Sequence, residues 1–147
     1  MGRLERSVKI DDIDPGSYSA VFLPWGHGTM RDIASSSVLG ALLSNAWAEG
    51  KVISAACHGP AGLINVRDVT GQPSVTGRRV SAFADTEELA AGLDKTVPLL
   101  LESRIREFGA TDEKGRDCQS SAITDGTLFT GRTPSPLKKS PSWRCMH

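Results

Sequence analysis

The sequence predicts an α/β domain built on a mostly parallel sheet. Short β-branched runs alternate with segments of helical period. One continuous apolar run, Val52–Ala56, is of the kind buried inside a parallel sheet. The junction that follows it, Ala55 to Pro60, is made almost entirely of small residues around one cysteine and one histidine. The chain has 147 residues, 39% of them hydrophobic and 23% charged, enough for one domain with its own core.

The elements follow in order. Tyr18–Leu23 is a β-rich run stopped by Pro24. Trp25–Thr29 (WGHGT) reads as a loop. Ser37 suits a helix cap, and the helix runs to about Glu49, with Val38, Leu42, Ala46 and Trp47 on one face and Gly50 as the stop. Val52–Ala56 is expected to be a strand buried on both faces, and Pro60–Val66 the next helix. Val80–Phe83 is a short strand. Pro98–Phe108 reads as a helix with Leu101, Ile105 and Phe108 as its stripe and Gly109 as its end. Ser121–Asp125 and Leu128–Thr130 flank Gly126 as two strands joined by a turn. The domain is expected to occupy residues 1–132. Residues 133–147, with three prolines and no period, are expected to form a disordered tail.

Composition excludes several classes. Seventeen basic residues balance seventeen acidic ones, leaving no net field to attract nucleic acid or an anionic membrane. Apolar runs such as Val97–Leu101 are far too short to span a bilayer. The N-terminus has no apolar signal region. Cys57, Cys118 and Cys145 lack CxxC spacing, which argues against a disulfide framework and for a reduced, cytoplasmic setting. No His, Cys and acid set has metal-ligand spacing, so no metal is expected.

The stretch VISAACHGPAGL carries the chemistry. A sharp strand-to-helix turn can lift a nucleophile above the sheet edge, and it needs small residues two positions either side. Ala55-x-Cys57-x-Gly59 meets that need. A helix start beyond it would favour the thiolate, and His58 would stand ready to move protons if an acid orients it.

AVFLPWGHGTMRDI, VISAACHGPAGLINV, GRRVSAFADTEE, VPLLLESRIREFGA and ITDGTLFTGRTP occur in an order that resembles the ThiJ/PfpI superfamily, within it the glyoxalase III and heat-shock chaperone branch. The resemblance covers roughly Val8 to Thr130. It implies the class I glutamine amidotransferase-like fold, a flavodoxin-like three-layer sandwich. It implies Cys57 as nucleophile, His58 as its proton-transfer partner and Glu88 as the acid completing a triad, with Asp85 and Glu87 as weaker matches. The backbone N–H groups of Gly26 and His58 would form the oxyanion hole, with Trp25 and His27 in the pocket. The implied reaction converts methylglyoxal to D-lactate without a cofactor. Chaperone and repair activities of the branch add misfolded proteins as partners, and a homodimer is among the expectations.

The chain departs from the family pattern in three ways. The family's first βαβ unit, whose loop carries a glutamate at the catalytic sulfur, has no counterpart ahead of Val8; a chain starting here is expected to be marginally stable and weak in catalysis. Trp25 stands where the family's loop has glycine. After Thr130 the family's TGQNP and terminal helix give way to TGRTPSPLKK, for which a reading-frame shift near Arg132 is the expected cause, to be checked on the coding DNA. Other classes stay open. A glutaminase needs a downstream His-x-Glu pair, which His27, His58 and His147 do not supply. A cysteine peptidase shares the elbow, and a chaperone-like or pseudoenzyme interaction module needs no intact site.

Overall fold

The computed structural model describes residues 7–24, 26–113 and 120–132. Trp25, Cys118 and the expected tail at 133–147 lie outside them. The described elements are β1 (Ala20–Leu23), α1 (Thr29–Ser35), α2 (Ser37–Ala48), β2 (Val52–Ala56), a 3-10 segment (Gly59–Asn65), β3 (Arg79–Val80), α3 (Asp85–Ala91), α4 (Leu101–Glu107), β4 (Thr111–Asp112), β5 (Ser121–Asp125) and β6 (Leu128–Arg132). The main sheet has the order β1-β2-β6-β5. β1 and β6 run parallel to β2, in registers that pair Leu23 with Ala55 and Ala56 with Gly131. β5 returns antiparallel on β6 through a turn in which Gly126 takes φ 61°. β3 and β4 form a separate parallel pair. The chain is thus α/β with a mostly parallel sheet, in the flavodoxin-like manner. Among the described residues, no helix is long and apolar enough to cross a membrane.

Local detail corrects several expectations, each for a packing reason. Ser36, not Ser37, caps α2: its backbone is extended and its hydroxyl accepts the Leu39 N–H at 3.1 Å. Leu39, Leu43 and Ala46 therefore face inward while Val38 faces out. The Pro60–Val66 helix is a 3-10 coil over Gly59–Asn65, whose residues Gly59 to Ile64 are all buried. The thinner coil fits where a Cβ on Gly62 would stand 2.8 Å from the Leu23 side chain and 2.9 Å from that of Ile33. Strand β3 stops at Val80 because the next donors leave the ladder: the Ser81 N–H goes to the Thr130 hydroxyl (2.8 Å) and the Phe83 N–H to the Cys57 carbonyl (3.0 Å). Helix α4 begins at Leu101 because Leu100 is extended; Leu101 and Ile105 are buried as expected. β2 buries Ile53 and Ala55 on one face only, its other face being half covered. Helices α1 and α3 were not expected.

The three parallel strands end on the same side of the sheet. The Gly26-His27 loop leaves β1 there and the Cys57-His58 turn leaves β2, as expected for ligand sites in open α/β sheets. Leu23, Met30, Leu43, Ile53, Leu63, Phe83, Ile105 and Leu128 form the core beneath that edge.

Gly59 fixes how closely the elbow approaches β1. A Cβ there would lie 2.3 Å from the Leu23 carbonyl oxygen and 3.2 Å from that of Pro24, both backbone atoms that cannot turn aside. Gly59→Ala should cost about 1–3 kcal/mol, the usual range for overpacking. Urea denaturation checks this; an unchanged midpoint would refute the close approach.

Candidate active site

Cys57 takes φ 58°, the one positive φ among the described non-glycine residues. A left-handed residue with a Cβ costs roughly 1–2 kcal/mol, so something must hold it. Its N–H donates to the Gly131 carbonyl at 2.7 Å, and its carbonyl accepts from the Phe83 N–H at 3.0 Å. β6 on one side and the strand-to-α3 connection on the other thus lock the turn. The thiol is 7% exposed.

His58 Nδ1 lies 3.5 Å from the Cys57 sulfur, and His58 Nε2 lies 3.0 Å from Glu88 Oε2. With Nε2–H donating to the carboxylate, Nδ1 is left as the acceptor facing the thiol. His58 is 2% exposed and Glu88 3%. Phe83 stacks on the imidazole at 4.1 Å between centroids. Burial pushes the His58 pKa below its ordinary 6.5, the hydrogen bond to Glu88 opposes this, and the neighbouring His27 lowers it further. At neutral pH the ring is uncharged, the form a proton acceptor needs.

Geometry selects among the acids of ADTEE. Glu88 meets His58; Glu87 turns to Arg132 (3.2 Å), and Asp85 accepts from the Ser103 hydroxyl. The other expected site residues also converge. His27, with its side chain 40% exposed, donates from Nε2 to Glu88 Oε1 at 3.0 Å and lines a cleft of about 220 Å³ with Arg31, Leu93 and Val97. Gly26 takes φ 133°, and its carbonyl accepts from the Thr29 hydroxyl at 2.6 Å; the same hydroxyl reaches the His58 carbonyl at 3.3 Å. Trp25 lies outside the described residues.

Metal-ligand spacing was not visible in the sequence, yet the fold brings ring nitrogens of His27 and His58 and an oxygen of Glu88 within 4.8 Å of one another. Each of these two ring nitrogens is paired with its own oxygen of Glu88 at 3.0 Å. Sequence reasoning missed Thr29, Phe83 and Arg132, and weighed Glu87 only as a weaker match for the acid that meets His58. For α3 a signal existed: three acids in a first turn and a glycine, Gly92, at its end.

A family model described as the DJ-1/PfpI family matches residues 3–139. The chain belongs to the DJ-1/PfpI family. It is 31% identical to glyoxalase 3 of Candida albicans over 142 residues, covering 92% of this chain and 60% of that protein. It is 30% identical to the glutathione-independent glyoxalase HSP31 of Saccharomyces cerevisiae, covering 84% and 55%. Among solved structures, glyoxalase III from Candida albicans superposes with a TM-score of 0.78 at 33% identity, covering 85% of this chain and 55% of that one. The Francisella tularensis Rapid Encystment Protein 24 kDa gives 0.82 at 33%, covering 86% and 56%. The chain therefore spans a little over half the length of these DJ-1/PfpI relatives.

Two predictions follow from the site. Unfolding restores His58 to its ordinary pKa of 6.5, so the unfolded chain binds more protons just below that pH. Stability should fall as the pH drops through and below 6.5, and His58→Gln should flatten that part of the profile in urea titrations. Separately, Cys57→Gly should be more stable than Cys57→Ala by about 1 kcal/mol, because glycine alone accepts the left-handed backbone freely. Equal thermal midpoints for the two would remove the strain argument.

Proposed function

We propose that this domain uses Cys57 as a nucleophile toward small α-oxoaldehydes such as methylglyoxal and converts them to the 2-hydroxy acid, here D-lactate. The observation that carries the reading is the neutral His58 acceptor aimed at a strained, shielded thiol and oriented by Glu88. Relatives named glyoxalase 3 and glutathione-independent glyoxalase HSP31 support this choice of substrate class.

His58 Nδ1 takes the thiol proton while the sulfur bonds to the aldehyde carbon, then returns it to the aldehyde oxygen, giving a hemithioacetal and a neutral imidazole. The N–H groups of Gly26 and His58 serve the oxygen that gains charge, and Thr29 ties their two segments together. The proton on the former aldehyde carbon moves to the adjacent carbon through an enediol, with His58 the nearest acceptor in this site, leaving a thioester. Water cleaves the thioester, releasing lactate and the thiol. One carbon is oxidised as its neighbour is reduced and only water is added overall, so the reaction calls for no external oxidant or reductant. His27 and the cleft beyond it receive the substrate's remaining end.

The test is to incubate the chain with methylglyoxal, assay D-lactate, and map the adduct by mass spectrometry. Lactate together with a one-equivalent adduct on Cys57 is expected, with both lost in Cys57→Ala. His58→Gln should lower the rate by about a hundredfold to ten-thousandfold, the usual contribution of a positioned base. If Cys57 alkylates readily with iodoacetamide yet neither adduct nor lactate forms, the α-oxoaldehyde reading fails.

A further inference from the structure

The end of β6 holds the backbone of Cys57 and the side chain of Glu87, the residue beside Glu88. The Gly131 carbonyl accepts the Cys57 N–H at 2.7 Å. The next residue, Arg132, donates from Nη1 to Glu87 Oε2 at 3.2 Å, with side chains 1% and 5% exposed. Glu87 adjoins Glu88 in the first turn of α3, and the same Oε2 accepts the Ala84 N–H at 3.4 Å across the helix start. A fully buried guanidinium is costly to desolvate unless a carboxylate meets it. Its place here is therefore informative.

We propose that Gly131-Arg132 is a common mooring for the nucleophile and the acid, and that Arg132, acting through Glu87, is a positioning residue for Glu88. Gly131 fixes where the Cys57 turn leaves the sheet. Arg132 fixes where α3 starts, and so where the Glu88 carboxylate meets His58. Because both anchors are consecutive residues of one strand, the separation between sulfur and acid is set by the rigid backbone of β6. The inference rests on the nucleophile reading above.

Electrostatics support it. His58 is faced by the Cys57 thiol on its own turn, by His27 from the loop ahead of α1, and by Glu87 and Glu88 from α3, with the Phe83 ring covering it. The charge of Glu87 acts to raise the His58 pKa. Arg132 also acts on Asp112 of β4, where it and Arg106 oppose the upward push of burial and of Glu102. Removing the Glu87 charge both withdraws a negative neighbour from His58 and takes one carboxylate charge from beside Arg132. Both changes lower the His58 pKa.

The experiment uses Glu87→Gln, Arg132→Met and the double variant. Two quantities are read on folded protein: the His58 titration midpoint by NMR, and the iodoacetamide rate at Cys57, mapped by peptide mass. Glu87→Gln should move the midpoint down, and the charge-neutral double variant should bring it back toward the parent. Each single variant should slow Cys57 alkylation by about tenfold to a hundredfold, the scale of a displaced catalytic group. The double variant should be no slower than the slower single one, because both act through one pair. A purely structural role would lower stability and leave both readouts unchanged, which overturns the proposal, as would additive effects. His58→Gln is the control: if it leaves Cys57 alkylation unchanged, the nucleophile reading fails and the mooring falls with it.

Discussion

The left-handed backbone of Cys57 is the constraint on which the site depends. Strain of this kind persists only where the surroundings over-determine it. Here both backbone polar groups of the residue are engaged, one by Gly131 and one by Phe83, while Gly59 lets the chain pass against the Leu23 carbonyl. Each contact comes from a different part of the fold. The elbow is therefore a property of the assembled sheet edge: the local sequence permits the turn, and β1, β6 and the approach to α3 enforce it.

The same edge gathers an unusual set of polar groups into a dry place. One carboxylate accepts from two imidazoles, and the more buried of them is kept neutral. That resolves the cost of burying a charge next to a thiol. Glu88 has its two oxygens satisfied, His58 keeps an open acceptor for the sulfur, and His27 carries the cluster outward to the cleft. Neutrality matters to the proposed reaction, because an imidazolium at this position could not accept the thiol proton.

Much of the fold was legible. β2, β5 and most of β1 and β6 follow from β-branched runs bounded by proline or glycine, and the Leu101/Ile105 stripe marked the buried side of α4. Boundaries slipped where tertiary hydrogen bonds override local pattern. Ser81 and Phe83 look like strand residues, yet Thr130 and Cys57 take their N–H groups. Pro60–Val66 opens with a proline suited to a first helical turn, yet it winds as a 3-10 coil, with Gly62 packed close against Leu23 and Ile33. Helix α1 was hidden because its first residues belong to a glycine-rich loop.

For the site, the sequence by itself determined the setting of Cys57, the proposed nucleophile: small residues around it and a histidine beside it are local, and local spacing is what a sequence displays. It also pointed, through family resemblance, to Glu88 among four residues of which three are acids. Only the tertiary structure decided that Glu88 meets His58, that Glu87 meets Arg132, and that His27 closes on the other oxygen of Glu88. These pairs are separated by 30, 45 and 61 positions. No periodicity encodes contacts so distant; they exist because parallel strands bring their loops to one end of the sheet, where buried polar groups must find partners.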